Sequence, residues 1–279
     1  MKPNFLFVGP DKAGSSWLFR VLAAHPEVFL SPAKDIYFFD RFYDRGEDWY
    51  LSRFRDAQPQ HKVVGEICHD YLYSREAPKR IIETLGEGTR ILVCLREPAD
   101  RAYSDYLNRL RSGEEGIETF AIAVAKRPEI VRAGEYSKWL QNYIEAFPRS
   151  HVKAAVFDDL SRDPQKFLDE ITEWLGIGRL VLSTDQLAPA RPAAASRSKR
   201  LTRLIRSGAK VARRLGLEAL VGRLKSSSAI EGALYRQYER KPEPDAAVVA
   251  QIRAEVSNDV AELTHLTGVP FQRIWGYDD

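Results

Sequence analysis

Phe5-Leu-Phe-Val-Gly9-Pro-Asp-Lys12-Ala-Gly14-Ser-Ser16-Trp-Leu-Phe-Arg-Val-Leu22 reads as three pieces: a strand, a loop bounded by glycines, and a helix. Phe5 to Val8 is a short apolar run between turn residues. From residue 15 to 24 the apolar positions fall at 17, 18, 21, 22 and 24, the spacing of one helix face. His25-Pro26 then ends that helix. A glycine loop between strand and helix presents backbone N–H groups and a helix N-terminus, which together attract an anion. The nucleoside-triphosphate loop has the form G-x-x-x-x-G-K-[ST]. Gly9 and Gly14 keep that spacing and Ser16 keeps the hydroxyl, but Ser15 stands at the lysine position. The lysine lies inside the loop instead, as Lys12. There it reaches a phosphate and its departing oxygen without relying on a metal. The competing reading is a Gly-Ser turn that only caps the helix.

Working outward, Val63-Val64 starts a second short strand. Residues 77–85 read as a helix closed by Gly86. Arg90 to Arg96 places five apolar residues between charged ends, the signature of a strand buried on both faces. It ends in Arg96, where a magnesium-dependent phosphotransferase would carry Asp. Helices are expected from Asp100 to about residue 111 and over about 134–147. A strand follows at 152–157. Asp163-Pro164 opens a helix to Leu175, with Gly176 as its stop. Residues 246–267 read as a closing helix. Strands that alternate with helices predict an α/β, P-loop-like three-layer fold with a central parallel sheet flanked by helices. One domain is expected over 1–279, with an exposed Ala/Pro/Ser-rich loop at 183–200 and a basic helical insertion or lobe at about 197–240.

Among 279 residues the net charge is only +3, which excludes a nucleic-acid-binding polycation. The charge is uneven, however. Residues 197–225 hold ten Lys or Arg and a single acid, Glu218. Apolar residues at 201, 204, 205, 211 and 215 suit a helix with one buried stripe. This segment reads as a basic wall near an anionic ligand, a contact for anionic lipids, or a solvated helix face. The two cysteines, Cys68 and Cys94, have no metal-ligand spacing and read as small buried residues in a reducing compartment. The first apolar run is too short for a signal-peptide core, and none approaches the roughly 18 residues of a membrane span. A cytoplasmic location is the expectation.

Two separated motifs together resemble the PAPS-dependent sulfotransferases, which use 3′-phosphoadenosine 5′-phosphosulfate (PAPS) as donor. Pro10-Asp-Lys12-Ala13-Gly14-Ser15-Ser16-Trp17-Leu18 resembles that family's 5′-phosphosulfate loop. Leu95-Arg96-Glu-Pro-Ala-Asp-Arg-Ala-Tyr-Ser104 resembles its 3′-phosphate segment, with Arg96 and Ser104 on the phosphate-binding positions. The branch most resembled modifies glycans and includes heparan sulfate and bacterial enzymes. In Lys34-Asp35-Ile-Tyr37-Phe-Phe-Asp40 the resemblance implies that Asp35 is the catalytic base, where relatives carry Glu. Gly65-Glu66-Ile67-Cys-His69-Asp-Tyr71 resembles a segment facing the acceptor, and Ile67 replaces a lysine of the heparan enzymes. Tyr37, His69 and Tyr71 are the implied acceptor contacts, and His69 is a rival base. Gly134-Glu-Tyr136 resembles the segment near the adenine. Arg197-Ser198 resembles a late basic loop over the nucleotide.

The resemblance implies sulfuryl transfer from PAPS to an acceptor hydroxyl, with adenosine 3′,5′-bisphosphate as product and no metal. A glycan or small-molecule acceptor is expected, and no nucleic acid. Lys12 would neutralise the departing phosphate oxygen, Arg96 and Ser104 would hold the 3′-phosphate, and Asp35 would take the acceptor proton. Two readings compete: a P-loop-like nucleotide kinase, and a non-enzymatic protein that binds anions or lipid surfaces.

Overall fold

The computed structural model describes residues 1–188, 194–196, 205, 208, 235–237 and 242–278. In chain order the principal elements are β1 (Phe5–Gly9), α1 (Ser15–Leu22), β2 (Val28–Leu30), α2 (Phe38–Arg41), β3 (Val63–Ile67), α3 (Ala77–Leu85), β4 (Arg90–Leu95), α4 (Pro98–Arg111), α5 (Ser137–Ala146), β5 (Val152–Val156), α6 (Phe157–Arg162), α7 (Pro164–Leu175), β6 (Ala194–Ser196), β7 (Tyr235–Gln237) and α8 (Ala246–Thr267). The first five strands form one parallel sheet in the order β2-β3-β1-β4-β5. This is the α/β, helix-flanked architecture that the alternation predicts.

Contacts divide the chain into two compact units. One comprises Met1–Arg96, Tyr136–Arg191 and Glu262–Pro270 and holds the parallel sheet. All five residues of β1 are buried, as an apolar strand covered on both faces must be. On one face, Phe5 and Phe7 pack with Leu92 and Cys94 of β4. Trp17, Leu18, Val21 and Leu22 of α1, and Phe167, Leu168, Ile171 and Leu175 of α7, close the same core. Leu6, Val8, Ile91, Val93 and Leu95 alternate with these residues and are buried too. Both cysteines are buried free thiols.

The other unit comprises Glu97–Glu135, Pro192–Ala261 and Phe271–Asp279. Within it, Glu97 caps α4 by accepting from the Asp100 N–H (2.7 Å) and also accepts from the Tyr277 hydroxyl (2.7 Å). Burial, opposed by these bonds, pushes the Glu97 carboxyl above its usual range. Arg253 stacks over the Tyr277 ring and donates to the Trp275 carbonyl (2.7 Å). Arg101 is buried and donates to the Ile130 carbonyl.

Three features depart from the sequence reading. β2 was not anticipated, because three residues carry too little periodicity to register. The helix expected over 134–147 starts at Ser137, after a separate turn at Glu129–Arg132. Within the segment expected to be a basic helical lobe, Tyr235–Gln237 is a strand, paired antiparallel with Ala194–Ser196. Apart from 205 and 208, the basic stretch 197–225 lies outside the described residues, and so do Arg197 and Ser198.

Candidate active site

The site begins where the sheet changes winding direction. After β1 the chain builds β2 and β3 on one side, then returns to place β4 on the other. The loops leaving β1 and β4 therefore part over their carboxyl ends, the usual ligand crevice of an open α/β sheet. Gly9 has φ 137°, and a Cβ there would lie 2.4 Å from the His69 carbonyl oxygen. Only glycine lets the two segments approach so closely. Gly14 caps α1 in the left-handed region (φ 83°), and a Cβ on it would strike Leu160 at 2.7 Å. No side chain caps α1 and no acid sits in its first turn, so the positive helix end keeps its attraction for an external anion. Ala13 and Trp17 are buried beneath the loop. The Trp17 indole donates to the Gln186 carbonyl (2.7 Å) and pins the helix. Ser16 is half-buried.

Arg96, from the end of β4, meets this loop. Its Nη1 donates to the Lys12 carbonyl oxygen (3.3 Å), and its guanidinium lies 4.8 Å from the centroid of the Phe157 ring. The buried Tyr136 donates its hydroxyl to the Arg96 carbonyl (2.9 Å). Tyr136 thus fixes the backbone of the arginine. Ser104 is half-buried on α4, in the other unit.

The segment after β2 carries Asp35, the base expected from sequence. Asp35 donates its N–H to the Ile67 carbonyl (2.9 Å) and so is tethered to the end of β3. Its carboxylate Oδ1 is 2.7 Å from His69 Nδ1 and 3.5 Å from Lys34 Nζ. Lys34 Nζ also donates to Ser15 Oγ (2.8 Å), which joins the Asp35 segment to the glycine loop. His69 Nε2 lies 3.1 Å from Asp70 Oδ1, and Asp70 pairs with Arg41. Arg41 in turn lies over the Tyr37 ring (4.2 Å), whose edge meets the His69 imidazole. Asp35 and His69, rivals in the sequence reading, are hydrogen-bonded partners. Burial opposes charge on His69, but the Asp35 carboxylate outweighs it, with help from Asp70, and raises the imidazole pKa above its ordinary value.

Backbone strain concentrates here. Among the described residues, Lys12, Asp35 and Tyr37 are the non-glycine residues with positive φ, at 65°, 64° and 58°. All three were singled out from sequence. Such conformations cost about 1–3 kcal/mol each and persist where the surroundings over-determine them. Tyr71 is placed otherwise than expected for an acceptor contact. It is fully buried, accepts the Phe38 N–H at its hydroxyl (2.8 Å), and accepts the Tyr143 hydroxyl at its carbonyl (2.7 Å). Its work is to hold the 37–39 turn. Behind it, burial and the charges of Asp35 and Asp40 push the Glu66 carboxyl up to about 8, against the Tyr71 hydroxyl. Burial likewise raises Asp40 to about 6, against the Arg41 charge.

Lys34 and Asp70 are the site residues that sequence reasoning passed over. Lys34 adjoins the predicted base, but the left-handed turns at 35 and 37 hide which way it faces.

Comparison with known proteins bears on the family and the fold. Residues 2–189 match the model of the sulfotransferase domain family. The chain belongs to that family. It is 34 % identical over 191 residues to heparan sulfate glucosamine 3-O-sulfotransferase 6 of Mus musculus, covering 64 % of this chain and 54 % of that one. Over 195 residues it is 29 % identical to the human bifunctional heparan sulfate N-deacetylase/N-sulfotransferase 3, covering 63 % and 22 %. It spans about half or less of the length of these curated relatives. A sulfotransferase crystal structure from Alicyclobacillus acidocaldarius shares the fold, with a TM-score of 0.69, 22 % identity and 96 % of each chain covered.

Proposed function

We propose that the protein transfers a sulfuryl group from PAPS to a hydroxyl of a carbohydrate acceptor. One observation carries the reading: Lys34 bridges Ser15 of the anion loop and Asp35, so a carboxylate sits one side-chain length from a phosphate cradle. The donor set fits the group. Lys12, the uncapped start of α1 and the hydroxyls of Ser15 and Ser16 suit a 5′-phosphosulfate, and the planar fork of Arg96 suits a 3′-phosphate. Ser104, Arg197 and Ser198 join the proposed donor contacts. PAPS supplies a sulfuryl group on a phosphate that leaves readily.

In this reading Lys12 neutralises the charge that develops on the departing phosphate oxygen. Lys34 sits beside the same loop and adds a second positive charge. Asp35 accepts the acceptor's hydroxyl proton as the new S–O bond forms. Tyr136 and Phe157 hold Arg96, and so set the donor's position before transfer. The acid-dense 35–40 and 66–70 segments, with Tyr37 and His69, border the acceptor. The carbohydrate choice rests on the heparan sulfate activities named for two relatives.

The test is transfer of labelled sulfur from PAPS to a panel of glycan, phenolic and peptide acceptors. A labelled glycan product from the wild type, abolished in Lys12→Ala, is expected. Labelling of phenols or peptides alone would overturn the carbohydrate assignment, and no labelled product at all would overturn the reaction.

A further inference from the structure

His69 is held between two carboxylates. Its Nδ1 faces Asp35 Oδ1 at 2.7 Å and its Nε2 faces Asp70 Oδ1 at 3.1 Å. A neutral imidazole has one N–H and one lone pair. In this position one nitrogen's lone pair would face a carboxylate oxygen. The Nδ1–Asp35 hydrogen bond and the Nε2–Asp70 ion pair are both attractive only when both nitrogens carry protons. The other charges around the ring are Lys34, which opposes a positive imidazole, and Arg41, which is occupied by Asp70 and lies over Tyr37. The Tyr37 ring edge closes the remaining side.

We propose that His69, in its protonated form, is a clamp that positions Asp35 for its role as base, and is not itself the base. This inference rests on the sulfotransferase reading and deepens it. The clamp works at the carboxylate: an N–H bonded to Oδ1 restricts rotation of a side chain that is one methylene shorter than Glu. The backbone tether from Asp35 N–H to Ile67 fixes the other end. His69 cannot take the acceptor proton while it is charged, because neither ring nitrogen then has a lone pair to offer. The raised pKa of His69 agrees with a charged ring. The sign follows from linkage. A histidine with a raised folded-state pKa contributes its stabilisation fully below the unfolded value of about 6.5, and loses it as pH rises through the folded value. The clamp therefore fails on the alkaline side.

The two roles for His69 predict opposite slopes. As a clamp, kcat falls as pH rises through its midpoint. As a base, kcat rises through it. The experiment follows the His69 ring by NMR across pH in the wild type and in Asp35→Asn, alongside pH profiles of kcat for wild type, His69→Ala and His69→Gln. The expected midpoint lies above 6.5 and drops in Asp35→Asn. His69→Ala lowers kcat by about 10- to 100-fold, the scale of a misplaced catalytic group. His69→Gln, which keeps a neutral donor, restores part of the rate and loses the alkaline fall. Binding of adenosine 3′,5′-bisphosphate stays unchanged in both variants. A kcat that rises through the midpoint, a midpoint at or below 6.5, or full activity in His69→Ala would overturn the clamp. Absence of any transfer by the wild type, with His69 charged by NMR, would instead overturn the sulfotransferase reading.

Discussion

The two halves of the candidate site differ in how they are made. The anion-loop half is a backbone device: a strand end, two glycines and an uncapped helix, with Lys12 and Arg96 adding charge. The base half is a side-chain device, in which Lys34, Asp35, His69, Asp70 and Arg41 form an alternating chain of charges. The first presents fixed N–H groups whose placement depends on its glycines, so Lys12 and Arg96 are the side chains there whose loss should matter. The second depends on every member, since each carboxylate is oriented by the cation beside it. Substitutions should therefore separate donor binding, assigned to Arg96, from turnover, assigned to Lys12 and Asp35.

The largest effect is expected at the base. Asp35→Asn keeps the shape but cannot accept a proton, and should lower kcat by about 100- to 10,000-fold with little change in product-nucleotide affinity. Lys12→Ala should lower kcat by about 100- to 1,000-fold at saturating donor, as loss of one charge-stabilising donor does. Near-normal turnover in either variant would break the division of labour. Tyr136→Phe removes one hydrogen bond to the Arg96 backbone and should cost about 1 kcal/mol of stability, read from denaturant unfolding, with weaker nucleotide binding.

Glu66→Gln sharpens the comparison differently, because it touches pH dependence. The folded-state pKa of Glu66, about 8, lies above its ordinary 4.5. Between those values the folded protein holds a proton that the unfolded chain has lost. Wild-type stability should then fall as pH rises from about 4.5 towards 8. Glu66→Gln should flatten that decline and raise the melting temperature at pH 8. An unchanged profile would mean that Glu66 is ionised in the folded protein.

The legibility of the two halves in sequence also differs. β1, its loop and α1 could be read because each is continuous in the chain and keeps its own period. The meeting of Lys12 with Arg96 followed from two motifs carried to the ends of neighbouring strands. The base half could not be read in the same way. Asp35 and His69 lie 34 residues apart, and their pairing depends on β2 and β3 lying side by side. Positive φ at Asp35 and Tyr37 breaks any period that would show which way Lys34 faces. Tyr71 was assigned to the acceptor from its motif alone, whereas burial gives it the support of the turn. The complete burial of Glu66 is not legible either, because sequence does not show how fully a neighbouring layer covers a strand.

Calorimetric titration with adenosine 3′,5′-bisphosphate, set against ATP with magnesium, probes the shared cradle of Lys12 and Arg96 most directly. The bisphosphate should bind the wild type with clearly higher affinity than ATP, and Arg96→Ala should abolish that preference. Equal or tighter binding of ATP, or a preference that survives Arg96→Ala, would contradict a site built to grip both ends of a 3′-phosphorylated nucleotide.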